Sequence, residues 1–344
     1  MADAHGSGPC VRKDVGVQLP PRPLLFVGQA RAGLALPASR AARCAQIIKQ
    51  RVRRSGLMRS DSPALRSVQQ HGRLERGDMT YVFAQDWHRE GKRLAGIEIA
   101  ADPISSDVLS RLGVGTGWRC AEVGAGGGSL ALWLADRVGD TGQVIATDLD
   151  LGHLIALQAP NLQVLQHDLT KEDAPAEPFD LVHTRLVIEH LADPEDALTR
   201  LAEWVRPGGW LVVEAGDWST WHEVTPSAVF EATLVAVQRF LASAGFAPMF
   251  GRRLAGLFRD HGLVDVGCEA RSRMLTGGTP EMEVFTLTIE RVRTAMVTAG
   301  LISDDEVAAA LAHCADPSFA VMSPALVSAW GRVPGKVEPD PLDI

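Results

Sequence analysis

The feature that most narrows the fold is a short apolar strand pattern that runs straight into a glycine-rich turn. Arg119 to Val123 is followed by Gly124-Ala125-Gly126-Gly127-Gly128, and then by a helical pattern from Leu130 to Val138. Glycines at 124, 126 and 128 let the backbone approach a ligand that any Cβ would hold off. Strand, glycine turn and helix in this order form a phosphate- or nucleoside-binding edge of a parallel α/β sheet. A dinucleotide fingerprint needs its third glycine at 129, where Ser129 stands. Glu122, at the strand end, would repel a pyrophosphate and suits an ammonium group.

The pattern around the turn predicts a doubly wound, mostly parallel sheet. Val144 to Thr147 reads as a strand, Leu151 to Leu157 as a short helix, and Leu162 to Gln166 and Phe179 to His183 as strands. Pro194 to Val205 is a helix with Asp193 as N-cap, closed by Pro207-Gly208-Gly209. Trp210 to Glu214 is the next strand. Upstream, Tyr81 to Ile99 and Ile104 to Leu112 read as two helices separated by a break at Asp102-Pro103. Downstream, helices are expected over 226–244, 251–261 and 281–299, with another opened by Ser303. Strands are expected at 264–274 and from 319.

Charge divides the chain. Residues 1–57 carry ten Lys or Arg against two Asp or Glu, although the whole chain has a net charge of −8. Three readings of that segment stand: a disordered tail, an extension upstream of a true start at Met58 or Met79, and a targeting peptide. The acidic remainder argues against a nucleic-acid partner, which needs a basic face. No apolar run reaches the length of a membrane-spanning helix, so no membrane partner is expected. Five scattered cysteines without a CxxC pair fit a reducing, cytoplasmic setting and a chain without a zinc site.

Asp148 ends the second strand, 20 residues beyond Gly128, where a carboxylate can accept from two ribose hydroxyls. Several further blocks follow in order: Ala146-Thr147-Asp148-Leu149-Asp150, His167-Asp168-Leu169, Phe179 to Arg185, Glu189-His190-Leu191, and Arg206 to Leu211. With the glycine turn, these blocks resemble the class I S-adenosylmethionine (SAM)-dependent methyltransferases over about residues 100–216. The resemblance implies a seven-stranded, Rossmann-like sheet with SAM as cofactor. A helical lid at 79–112, a SAM-binding core at 113–216 and a second half of the core with a helical cap over 217–330 are expected with it, and the prolines at 334, 339 and 341 suggest a flexible tail at 331–344.

It also implies roles for single residues. Gly124, Ala125, Gly126 and Gly128 would face the methionine and ribose, and Glu122 the amino group. Asp148 would hold the ribose hydroxyls, with Leu149 on the adenine. His167, Asp168 and Leu169 would surround the adenine amine, and Thr184 and Arg185 the methionine end. Tyr81 would cover the cofactor as part of the lid. His190 and Pro207-Gly208-Gly209 are expected to be structural.

Methyl transfer needs mainly alignment, and a general base only where the acceptor must lose a proton. The candidate bases are His183, Arg185, Asp217 and His222, with His183 and His222 foremost. Trp218 and Trp221 beside His222 point either to an aromatic-walled pocket or to ordinary packing. His183, Glu189 and His190 could in principle ligate a metal, but 183 and 190 lie in different elements and no third neutral ligand accompanies them, so no metal site is expected. The apolar stretch 228–249 suits a hydrophobic or aromatic small-molecule acceptor, and equally suits helix packing or a homodimer interface. The expected activity is methyl transfer to such a molecule. The other readings are a non-catalytic SAM-binding protein on the same fold and a nucleotide-dependent oxidoreductase.

Overall fold

Alternating side chains send each central strand's apolar residues to two faces, and both faces are covered. The structure, a computed structural model, describes residues 87–335. Tyr81, the segment 1–57 and the tail beyond 335 lie outside the described residues.

The seven-stranded sheet contains β1 (Arg119–Val123), β2 (Gln143–Asp148), β3 (Leu162–Gln166), β4 (Phe179–Arg185) and β5 (Val205–Asp217). Its last two strands are β7 (Val264–Arg271) and β10 (Ala325–Arg332). The strand order is β3-β2-β1-β4-β5-β10-β7. The first five run parallel, and β10 is antiparallel to both β5 and β7. This is the expected Rossmann-like, mostly parallel sheet.

On one face, Cys120, Val144, Leu181 and Val212 pack against α1 (Glu90–Arg111) and α2 (Ser129–Val138) through Val108, Leu109, Leu130 and Leu134. On the other, Ala121, Ile145, Val182 and Leu211 meet α3 (Pro194–Glu203) and α5 (Leu254–Asp260). Asp193 caps α3 by accepting the Asp196 amide. Between β5 and α5 lie β6 (His222–Glu223) and α4 (Ala228–Ser243).

The remaining elements are β8 (Met274–Thr276), α6 (Pro280–Thr298), α7 (Asp304–Ala315) and β9 (Ala320–Met322). A second core joins α4, α6 and α7 to a small sheet of order β6-β9-β8. The part expected as a helical cap is therefore helices around a three-stranded sheet. Val264 to Met274 is not one strand, because the chain passes from β7 in the large sheet to β8 in the small one.

Four other local expectations are corrected. The helix break at Asp102-Pro103 is absent, and α1 runs through Pro103. Pro103 removes the bond to the carbonyl of Ile99, whose residue is 54% exposed, while Ile104, Ser105, Val108 and Leu109 are buried and hold the helix together. Leu151 to Leu157 forms turns rather than a helix, with the Leu154 and Ile155 amides both donating to the Leu151 carbonyl. Pro207-Gly208-Gly209 lies within β5 as an irregularity, because the pairing shifts from Phe179–Val205 to Leu181–Trp210. Residues 331–333 are no loose tail: β10 extends to Arg332, and Val333 exchanges backbone bonds with Gly208 and Gly209.

Candidate functional site

A cavity of about 720 Å³ opens at the carboxyl ends of β1, β2 and β4, between the sheet, α1 and the cap. Its floor is the glycine turn. The Gly124 and Ala125 amides both donate to the Thr147 carbonyl, at 2.8 and 2.9 Å, tying the turn to β2. Gly124 has φ +70°, and a Cβ there would lie 2.2 Å from Val187 Cγ2. Gly126 has φ +59°, but the nearest atom to its absent Cβ is Leu94 Cδ2 at 3.5 Å, so its open side belongs to the cavity.

Asp148 braces this turn. Its Oδ2 accepts the Gly126 amide at 2.9 Å, and its Oδ1 accepts the Asp150 amide at 3.2 Å. Burial raises its pKa, and these backbone donors oppose the rise. Each oxygen keeps a lone pair, so the carboxylate can accept two hydroxyls. At Asp168, burial opposes the charge, but Lys171 and Thr170 outweigh it and hold the carboxyl below its ordinary range.

α1 is fastened to the turn by a side chain. Gly128 is the N-cap of α2 and has no side chain to offer, so Glu98 of α1 supplies the acceptor, with Ser129 N to Glu98 Oε1 at 3.1 Å. This cap comes from outside the helix it caps and satisfies one of its free amides.

The predicted residues separate into two groups. Glu122, Gly124, Ala125, Gly126, Asp148, Leu149, His167, Asp168, Leu169 and Arg185 all border the cavity. Gly128, Thr184, His183 and His222 are not among its lining residues. Thr184 is buried and donates to the Val123 carbonyl at 2.8 Å, which locks β4 to β1. His222 sits in β6, paired with Met322, and is exposed on the small sheet. Asp217 is occupied by Arg252, with bonds of 2.9 Å to each carboxylate oxygen.

His183 is fully buried inside the sheet, as is Glu214 of β5. His183 Nδ1 lies 2.6 Å from Glu122 Oε2. Its Nε2 is 3.4 Å from Glu214 Oε2, close enough for an ion pair but without hydrogen-bond alignment. Burial disfavours its charge, but Glu122 and Glu214 outweigh that and raise its pKa to about 9. Glu214 accepts from Ser328 at 2.5 Å and from Ser105 of α1. Ser105 also takes a bond from Arg185, whose other nitrogen reaches Asp102 at 2.8 Å. The network spans β1, β4, β5 and β10, so His183 serves the interior rather than the cavity.

Three further lining residues lie outside the expected cofactor contacts, although Glu189 and His190 belong to one of the blocks named above. Leu186 follows β4 with φ +57°, rare for a side chain of this kind, and turns Val187 under Gly124. Glu189 is 1% exposed, with Oε1 accepting the Gly216 amide at 3.0 Å. Its Oε2 is buried without a partner, and burial raises its pKa to about 7. His190 packs against Phe246 with ring centroids 4.7 Å apart and tilted by 40°, and burial and Arg93 lower its pKa to about 3.

The two ends of the cavity differ in chemistry. The glycine turn, Asp148 and Asp168 match an adenosyl group. The other end is walled by Trp218, Leu241, Phe246, Leu275 and Phe285.

Comparison with known proteins agrees with this geometry. A family profile described as "Methyltransferase domain" matches residues 83–268, more than half of the chain. Methyltransferase str2 of Strobilurus tenacellus is 29% identical over 177 residues, covering 51% of this chain and 63% of that protein. The ubiquinone/menaquinone biosynthesis C-methyltransferase UbiE of Pseudomonas fluorescens is 31% identical over 110 residues, covering 29% and 43%. The chain thus spans less than two thirds of the length of these relatives. Among solved structures, coclaurine N-methyltransferase bound to N-methylheliamine and SAH aligns with TM-score 0.45 and 14% identity, over 86% of this chain and 96% of that one. The profile match covering the glycine turn, Asp148, β4 and β5 shows that the chain belongs to the methyltransferase domain family.

Proposed function

We propose that this protein transfers a methyl group from SAM to a small apolar or aromatic molecule. One observation carries the reading: a single cavity joins an adenosyl-type floor to an aromatic, cap-derived wall. Its volume of about 720 Å³ lies within the about 300–1,000 Å³ of small-molecule and cofactor pockets. A relative named for ubiquinone/menaquinone biosynthesis supports an aromatic, quinone-like acceptor.

SAM supplies, when bound, an electrophilic methyl on a sulfonium. The Gly124, Ala125 and Gly126 backbone would cradle it, Asp148 would take the ribose hydroxyls, and Asp168 and Leu169 the adenine, with His167 and Leu149 at its sides. Glu122 and Arg185 would meet the methionine end. His183 holds Glu122 in place from inside the sheet. The cap wall keeps water from the acceptor and brings it to the methyl, and orientation of this kind supplies much of the rate. Two measurements on one preparation test the reading: calorimetric titration with SAH, and transfer of label from methyl-labelled SAM to a panel of aromatic acceptors. Absence of SAH binding would overturn it.

A further inference from the structure

We propose that Arg273 binds a carboxylate of the acceptor, and that the acceptor is therefore an aromatic acid held ring-first in the cavity. This rests on the methyl-transfer reading above. Arg273 stands where the chain leaves β7 and enters β8, and it lines the cavity beside Leu275. Side chains alternate along extended chain, so residues 273 and 275 leave on one side. Met274 between them is 63% exposed and is not among the lining residues. Leu275 is buried in the wall and Arg273 is exposed, so the guanidinium sits at the cavity mouth.

The backbone that carries Arg273 is tied down. Its amide donates to Ser323 Oγ at 3.0 Å, and its carbonyl accepts the Ser323 amide at 2.9 Å. The Ser323 carbonyl in turn accepts from Ser272 Oγ at 2.8 Å and from Thr220 Oγ1 at 2.9 Å. A side chain rooted in a fixed corner loses less freedom on binding than one on a loose loop. The other arginines of the wall already have acids: Arg93 has Glu90, Arg185 has Asp102, and Arg271 has Asp107 and Glu269. The Arg273 guanidinium has no partner among the described residues.

Glu281 also lines the cavity without a side-chain partner among the described residues. It lies in the first turn of α6, where free amides and the helix dipole stabilise a carboxylate. The unanswered charge of the wall is thus the positive one. A guanidinium presents parallel N–H donors that match the two oxygens of a carboxylate. An acid bound here keeps its charge at the mouth, in touch with water, and avoids the cost of burying it. Its ring then lies against Trp218, Phe246 and Phe285, and points towards the cofactor floor. The carboxylate is a handle, and the methyl goes to the inward end of the molecule.

The experiment uses the full chain saturated with SAH and three probes of similar shape: 2-naphthoate, 2-naphthamide and 2-naphthylmethylamine. Affinities are read by calorimetry, with SAH affinity measured first on every variant. The wild type is expected to bind the naphthoate about tenfold or more tighter than the amide, the scale of one hydrogen bond to a charged group, and the amine no better than the amide. Arg273→Gln changes an exposed side chain and leaves both backbone bonds to Ser323 in place. It is expected to bind SAH and the amide within about threefold of wild type, as surface substitutions do, and to lose the preference for the acid. Arg273→Lys, which keeps the charge but not the fork, is expected to retain part of that preference. Equal binding of acid and amide by the wild type, tightest binding of the amine, a preference that survives Arg273→Gln, or an SAH-loaded wild type that binds none of the probes would overturn the proposal. A wild type that does not bind SAH would instead overturn the methyl-transfer reading.

Discussion

His183 and Glu122 form a buried pair on adjacent strands, with Nδ1 and Oε2 2.6 Å apart beneath the glycine turn. The pair lies on the α1 face of the sheet, one alternation beyond the apolar layer of Cys120 and Leu181. The charge is thus placed where the sheet meets the cavity floor.

That pair makes stability depend on pH in a defined direction. Burial alone would lower the pKa of His183, but Glu122 and Glu214 raise it to about 9. A group with a raised folded pKa stabilises fully below its unfolded value, about 6.5, and loses that contribution as pH climbs through the folded value. The melting temperature of the wild type should exceed that of His183→Gln most at pH 6, with the gap closing towards pH 10. A gap that stays constant across this range would refute the charged pair.

Asp148 carries both the turn and the proposed ribose contacts. Asp148→Ala removes an acceptor for Gly126 and for two hydroxyls, and hydrogen bonds to a charged group are worth about 1.5–3 kcal/mol each. SAH affinity should fall by about 2 kcal/mol or more, read by calorimetry.

Gly124 tests the turn itself. Gly124→Ala places a Cβ against Val187 at a φ of +70°, and backbone strain of this type costs about 1–3 kcal/mol. Because Val187 lines the cavity, the variant should lose both thermal stability and SAH affinity. Gly139→Ala, at φ +66° with only Thr116 within 4 Å, is the control: it should lose stability alone.

Glu98 couples α1 to the cofactor loop. Glu98→Ala leaves the Ser129 amide without its acceptor. Loss of an N-cap costs about 1 kcal/mol, so the melting temperature should fall and exchange of the Ser129 amide should quicken. An unchanged exchange rate at Ser129 would contradict the cap.

What could be read from the sequence was local. The glycine turn, Asp148 and the Asp193 and Ser303 caps depend on neighbours within a few residues, and the structure shows the turn, the acid and both caps in place. Pro103 misled because its effect depends on which side of α1 meets solvent, which the local pattern does not reveal. His183 looked like a base at a strand end, but it is sealed by β1 and β5, neither adjacent to it in sequence. His222 follows β5 closely in sequence yet joins a separate sheet completed by β9, about a hundred residues later. Glu189 belongs to the Glu189-His190-Leu191 block, but its buried, unpaired oxygen exists only once Gly216 and the cap close around it.

The most direct test of the central claim is calorimetric titration of the wild type and Asp148→Ala with SAH, with NADH as comparison ligand. SAH should bind the wild type with one site and bind the variant at least about 30-fold more weakly, the equivalent of 2 kcal/mol, and NADH should give no heat. NADH binding without SAH binding would contradict the account.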